Sequence, residues 1–286
     1  MPELPEVETV RRGLTSRLSS FHIHDLEILR DRAIASPGGS SVFATGLKGA
    51  WVGQWHRRGK YLYADLHDSD GGGATPNRGL WGVHLRMTGQ FLWVEDGSEP
   101  CRHTRVRFWN AQGQELRFID MRSFGEMWWV PPGEMAESVM TGLTRLGPEP
   151  FSADFNGGYL RRRLKGSKRS IKAALLDQSL VAGTGNIYAD ESLFAAGICP
   201  KTPAGELKKA QLDRLSSCLV EVLERSIGAG GTTFSDFRDL EGVNGNYGGQ
   251  ACVYRRTGAP CHSCGTPIVR DKLAGRSTHW CPHCQA

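Results

Sequence analysis

The stretch CHSCGTPIVRDKLAGRSTHWCPHC (261–284) holds four cysteines as two C-x2-C pairs, sixteen residues apart. Two chelating pairs on tight turns can close a tetrahedral thiolate site, and Gly265 directly after the first pair suits a knuckle turn. The spacing predicts a zinc ribbon in which Cys261, Cys264, Cys281 and Cys284 hold one structural Zn2+. Four thiolates leave no coordination position open, so the metal maintains shape and performs no chemistry. Cys101, Cys199, Cys218 and Cys252 are scattered and read as buried or inert thiols. No leader pattern precedes Glu3 to favour a secreted disulfide scaffold.

Upstream of the ribbon the apolar period is helical. Helices are predicted near 153–165, 168–177, 186–196 and 204–227, the last with Leu212, Leu215, Leu219, Val222 and Leu223 on one face and Gly228 at its end. The segment LRRRLKGSKRSIK (160–172) carries Arg161, Arg162, Arg163, Lys165, Lys168, Arg169 and Lys172 without one acid, the pattern of a solvated or phosphate-facing surface. From Cys252 onward, Arg255, Arg256, Arg270, Lys272 and Arg276 face only Asp271. Two basic regions distant in sequence predict a polyanion lying across both.

Between Phe21 and about Val130 the period is two. Val106 and Phe108 alternate with Arg105 and Arg107, Leu116 and Phe118 repeat the pattern, and Val83, Leu85 and Met87 run into a Thr88-Gly89 turn before Phe91 and Trp93. Many short alternating strands predict a β-sandwich. DSDGGGATPNRG (68–79) reads as a mobile hairpin excursion, and Pro131-Pro132-Gly133 with Leu146–Pro150 brackets a linker. The 286 residues suffice for more than one core, and 39% hydrophobic with 23% charged residues is ordinary globular composition. No apolar run approaches the length of a membrane span. A cytoplasmic, nucleoid-associated monomer without membrane contact or redox cofactor is expected.

The chain opens MPELPEVETVRRGL (1–14), which supports two readings. Pro2 and Pro5 suit a helix start, where N–H groups lack partners, and Leu4, Val7, Leu14 and Leu18 recur at helical spacing. Alternatively, removal of Met1 would expose a secondary amine beside carboxylates. An α-amine titrates near about 8 and is partly nucleophilic at neutral pH.

These features resemble the bacterial formamidopyrimidine-DNA glycosylases nearly end to end. PELPEVE (2–8) is similar to the family's terminus, RRGKYL (57–62) to its basic β-hairpin, LVAGTGNIYADE (180–191) to the turn of its helix-two-turn-helix module, and the cysteines to its zinc finger. The resemblance implies an α+β multidomain protein. It comprises a catalytic β-sandwich with an N-terminal helix (2–134), a linker (135–150), a helix-two-turn-helix domain (151–230), a lesion-recognition loop (231–250) and a zinc finger (251–286), with duplex DNA between the domains.

It further implies base excision of 8-oxoguanine and ring-opened purines through a Schiff base on Pro2, then β,δ-elimination at the abasic site. Glu3 would manage protons on the sugar, and Glu6 would act near the lesion as a secondary acid/base or hydrogen-bonding group. Glu8 reads simply as a first-turn charge. Lys60, which by residue type alone is a hairpin lysine, becomes a phosphate contact, and Arg276 at the ribbon tip clamps the same phosphates. Asn186, after Gly-Thr-Gly, reads as a helix N-cap that can also cradle phosphate. His103 and Lys168 would contact DNA. Met87, otherwise a core side chain, would fill the gap left by an everted base together with Arg122 and Phe124, and Thr232 and Thr233 would line the lesion pocket.

The sequence departs from the family pattern at Arg86 and Arg255, where glycine is usual, and at Met121 and Ser123, where proline and arginine are common. Two alternatives are an endonuclease VIII-like glycosylase for oxidised pyrimidines and a non-enzymatic zinc-ribbon DNA-binding protein. The first usually has glycine and isoleucine where Leu4 and Val7 stand. The second has no reason to keep Pro2, Glu3 and Lys60 together.

Overall fold

The computed structural model describes residues 1–69, 77–95, 97–233 and 239–285. The middle of the 68–79 excursion and part of the 231–250 loop thus lie outside the described residues. Two compact units form: Met1–Thr144 with Gly230–Gly245, and Arg145–Ala229 with Asn246–Ala286.

The first unit starts with α1 (Leu4–Arg17), whose Leu4, Val7, Val10 and Leu14 are buried. Then come β1 (Phe21–His22), β2 (Asp25–Ile28), α2 (Gly39–Leu47), β3 (Trp51–Arg58), β4 (Tyr61–His67), β5 (Leu80–His84), β6 (Gly89–Val94), β7 (Thr104–Trp109), β8 (Glu115–Asp120), β9 (Glu126–Val130) and the single turn α3 (Ala136–Val139). The strands make two antiparallel sheets, ordered β1-β3-β4-β5-β9 and β2-β7-β8-β6. Strand β7 alternates buried and half-buried residues as its sequence predicts. Its inward Phe108 meets Trp81 of the other sheet at 4.5 Å between ring centroids, and Trp81 in turn meets Trp55. On β8 the alternation is hidden. Arg117 and Glu115 are buried as well, because the Glu115 carboxylate accepts from both Arg107 Nε and Arg117 Nε at 2.6 Å. Burial works to raise the Glu115 carboxyl, but the two guanidinium bonds outweigh it and hold the group below its ordinary pKa.

Helix α2 lies inside the region read as strands. Phe43 and Leu47, one turn apart, are buried, and Gly46 lets the helix rest on the Trp129 ring.

The second unit contains α4 (Gly157–Leu164), α5 (Ile171–Leu175), α6 (Asn186–Ala195), α7 (Lys209–Gly228) and the ribbon hairpin β10 (Val269–Leu273) and β11 (Arg276–Trp280). The last long helix starts at Lys209 and not at 204, since Ala204–Glu206 form a separate 3-10 turn. The expectation that every cation of 160–172 faces outward also fails. Lys172 is fully buried, its Nζ 2.7 Å from Asp190 Oδ1 and donating to the Ser277 carbonyl at 2.6 Å. Asp190 Oδ2 accepts the His279 main-chain N–H at 2.8 Å. One buried ion pair thereby ties α5 and α6 to β11.

Removing one partner of such a pair strands the other charge without water. Asp190→Ala should destabilise this unit by about 3–5 kcal/mol, measured by urea unfolding of the zinc-loaded protein. A loss near zero would show that the pair does not hold the ribbon.

Candidate active site and nucleic-acid interface

Pro2 and Glu3 are buried at the start of α1. Glu3 is the N-cap, and its carboxylate accepts the Glu6 N–H while the Glu6 carboxylate accepts the Glu3 N–H through Oε2 at 2.8 Å. This reciprocal cap satisfies two donors that the helix start leaves open. Glu6 Oε1 reaches further and accepts the Thr232 N–H, also at 2.8 Å. Both Glu6 oxygens thus hold main-chain donors, which makes Glu6 the anchor of the loop root. Gly231 beside it has φ +80°, and a Cβ there would stand 3.2 Å from Glu6 Cγ, so only glycine fits without displacement. Thr233 Oγ1 accepts the Gly245 N–H at 2.8 Å. Leu240, buried against Gly13, accepts the Trp93 N–H through its carbonyl.

Lys60 sits with Gly59 in the two-residue turn joining β3 and β4, and is buried. Glu8 shapes this turn. Its carboxylate accepts from Arg57 Nε at 3.1 Å, and Arg57 Nη1 donates to the Gly59 carbonyl at 3.1 Å. Arg11 and Arg12 bond the same carboxylate. Burial works to raise Glu8, but these guanidinium bonds outweigh it and lower its pKa. Glu8 therefore lies past the first turn and links α1 to the lysine hairpin, correcting its reading as a first-turn charge.

Met87 is half-buried in the turn between β5 and β6, not in the core. Arg122 and Phe124 are exposed between β8 and β9, with the Arg122 guanidinium 4.9 Å over the Phe124 ring. Asp120 organises this loop from full burial. Its Oδ2 accepts the Gly125 N–H at 2.7 Å, its Oδ1 accepts the Arg122 N–H at 3.2 Å, and Thr88 Oγ1 donates to it. Thr88 Oγ1 also accepts the Arg122 N–H at 3.0 Å, so the Met87 turn and the Arg122 loop share one set of bonds. Half-buried His103 adjoins the same place, its carbonyl accepting the Asp120 N–H at 2.9 Å. Sequence reasoning missed Thr88 and Asp120, though the polar pair flanking the apolar side chains was a visible signal.

In the second unit, Gln178 shapes the turn before α6 by accepting from Gly183 N and donating to the Thr184 carbonyl. Asn186 is the first residue of α6 and Gly185 is the cap, so the asparagine is not the N-cap. Its Nδ2 donates to Ser277 Oγ at 3.3 Å, while its buried Oδ1 has no hydrogen-bond partner among the described residues. Lys168 is exposed. Arg276 is exposed beside the Ala274-Gly275 turn, both of whose residues have positive φ, and makes no ion pair among the described residues. Positive φ at both central residues is what a type I′ hairpin turn requires. Ser277, adjacent to it, is held by both Lys172 and Asn186.

The sulfurs of Cys261, Cys264, Cys281 and Cys284 all lie within 4.8 Å of one another. The Cys261–Cys284 and Cys264–Cys281 separations are 3.9 and 3.5 Å. Zn–S bonds of about 2.3 Å in a tetrahedron place sulfurs about 3.8 Å apart. Main-chain N–H groups of Ser263 and Cys284 donate to Cys261 and Cys281 Sγ, as thiolate ligands require. The cluster fits one structural Zn2+.

A β-sandwich headed by a proline terminus, a helical module and a four-cysteine ribbon define a DNA base-excision glycosylase class of architecture. Family profiles agree segment by segment: the formamidopyrimidine-DNA glycosylase N-terminal domain over residues 1–127, the formamidopyrimidine-DNA glycosylase H2TH domain over 146–238, and the zinc finger found in FPG and IleRS over 258–286. The chain belongs to the formamidopyrimidine-DNA glycosylase family. Formamidopyrimidine-DNA glycosylases of Parasynechococcus marenigrum and Prochlorococcus marinus strain MIT 9313 are 70% and 66% identical to it, over all of both chains. A solved complex of the Lactococcus lactis enzyme with DNA containing an abasic site is 33% identical, with a TM-score of 0.88 and 99% of each chain covered. A complex of MutM with DNA containing carbocyclic 8-oxo-G has the same identity, coverage and TM-score. Full-length agreement with these enzymes displaces the non-enzymatic ribbon alternative. No helix among the described residues is long and apolar enough to cross a membrane.

Cys264→Ser or a strong chelator should remove the metal and weaken duplex binding while the β-sandwich keeps its fold, because the isolated hairpin cannot hold Arg276 in place. Metal analysis and titration with labelled duplex check this. Undiminished binding by the metal-free protein would sever the ribbon from DNA recognition.

Proposed function

We propose that this chain, a bifunctional DNA glycosylase and abasic-site lyase for oxidised purines, uses Pro2 as its nucleophile. The reading rests on one observation: Pro2 and Glu3 are buried together at a terminus that the Glu3–Glu6 cap holds rigid. With Met1 removed, the Pro2 nitrogen forms a bond to the sugar's anomeric carbon as the bond to the base breaks, its N–H proton leaving with the departing base. Glu3 supplies a proton to the sugar ring oxygen, whose bond to the anomeric carbon breaks as the iminium forms. A secondary amine gives an iminium that is positively charged without a further proton. That cation acidifies the neighbouring C–H, so loss of the proton expels the 3′ phosphate, and a second elimination expels the 5′ phosphate.

Lys60, Lys168, Asn186, Arg276 and His103 are assigned to the DNA backbone, the first and fourth to the phosphates at the lesion. Charge supports the lysine and arginine assignments, and Asn186 stands at the N-terminus of α6, where main-chain N–H groups are open to an anion. Met87, Phe124 and Arg122 take the place of the everted base. The exposure of Phe124 and its stacking on a guanidinium support that role. Thr232 and Thr233, rooted on Glu6, border the base pocket. The preferred lesions are 8-oxoguanine and ring-opened purines in duplex DNA, and the protein acts as a cytoplasmic monomer.

A chain carrying a verified N-terminal extension should lose covalent trapping by borohydride on lesion DNA while still binding it. Trapping by the extended chain would refute Pro2 as nucleophile. Arg122→Ala should flatten the preference for cytosine over adenine opposite 8-oxoguanine, since its donor fork matches O2 and N3 of an unpaired cytosine. Single-turnover excision against the four partner bases checks this. Equal slowing for all four partners would reduce Arg122 to a general contact.

A further inference from the structure

Arg86 precedes Met87 in the turn between β5 and β6 and has φ +53°. That left-handed backbone is ordinarily left to glycine, because a Cβ there crowds the carbonyl. Three bonds hold the arginine in it. Its N–H donates to His84 Nδ1 at 3.0 Å, its Nε donates to Glu126 Oε2 at 2.9 Å, and its Nη2 bonds the same oxygen. Glu126 is the first residue of β9, two positions after Phe124.

Met87 is therefore bracketed. Arg86 on one side grips the strand that follows the Phe124 loop, and Thr88 on the other bonds Asp120 and Arg122, where that loop begins. We propose that the Arg86–Glu126 pair is a positioning clamp, which fixes Met87 relative to Phe124 and Arg122 so that both halves of the wedge meet the base stack as one preformed unit. This rests on the reading of those three side chains as the wedge.

The physical reason is the cost of order. A turn free to swing at residue 86 would have to be immobilised while the base is everted, and that entropy would be charged to the eversion step. A guanidinium placing two donors on one carboxylate oxygen fixes the direction of the turn as well as its distance from β9. The pair is partly shielded, with side-chain exposures of 41% for Arg86 and 19% for Glu126. His84 completes the clamp. Burial, then the charges of Arg86 and Lys60, push its pKa down to about 3, so the ring is neutral and Nδ1 remains an acceptor.

The test is single-turnover excision of 8-oxoguanine from duplex at saturating enzyme, so that altered binding does not enter the rate. Arg86→Gly, Glu126→Ala and the double variant are compared with cleavage of a preformed abasic site in single-stranded DNA, where no base stack must be entered. Glycine suits the backbone at 86, so that variant keeps its fold, and thermal unfolding checks this. Each single variant should slow duplex excision by roughly threefold to tenfold, corresponding to about 0.7–1.4 kcal/mol of barrier. The double variant should be no slower than the slower single one, and single-strand cleavage should stay near the wild-type rate. Wild-type duplex rates, losses that multiply in the double variant, or equal slowing on the single strand would each overturn the clamp. Met87→Ala and Phe124→Ala run in parallel separate the two ideas. If they excise at the wild-type rate, the wedge reading falls and the clamp with it; if they are slow while Arg86→Gly and Glu126→Ala are not, the clamp alone falls.

Discussion

The carboxylate of Glu6 joins two main-chain segments from distant parts of the chain, accepting the Glu3 N–H through one oxygen and the Thr232 N–H through the other. A helix start leaves N–H donors without partners, and so does the root of a glycine-rich loop. One buried acid meets both needs. It thereby sets the helix that carries Pro2 and the loop root that carries Thr232 and Thr233 in a common frame. Bonds from main-chain N–H groups to a carboxylate are short and directional, so the frame is stiff at the start of α1.

The same device recurs elsewhere in the chain. Asp120 accepts main-chain N–H groups of Arg122 and Gly125. Asp190 accepts that of His279, while Glu191 beside it accepts those of Cys252, Val253 and Tyr254. Burial pushes the Glu191 carboxyl up in pKa and the three N–H donors pull it back, with burial the larger. Asp120 and Glu191 in this way supply acceptors that an irregular segment cannot supply for itself. The loop held by Asp120 keeps Arg122 and Phe124 exposed without becoming slack.

Three departures from the family pattern share a structural denominator. Arg86, Ser123 and Arg255 have φ values of 53°, 53° and 60°. At Arg86 and Arg255, glycine is the usual residue for a backbone reason, and a longer side chain is tolerated only if its bonds offset the strain. Arg86 has such bonds to His84 and Glu126. Nothing in the structure explains why serine stands at 123.

By itself the sequence determined what short-range periodicity and ligand spacing can encode. The ribbon was legible because four thiolates at fixed spacing admit one closed geometry, and the sulfurs do converge. Strand β7 and helix α7 were legible because each buries one face at its own period. Other features depended on partners far away in the chain, which periodicity does not carry. Lys172 looked like one more surface cation in a basic run until Asp190 and Ser277 enclosed it. Glu8 looked like a helix-dipole charge until Arg57 reached it from β3. Helix α2 was lost among strands because its fit against Trp129 rests on a glycine that no local pattern highlights. Tertiary structure decided these cases because a charge is surface or core, and a polar side chain decoration or anchor, according to what the rest of the chain brings within hydrogen-bond reach.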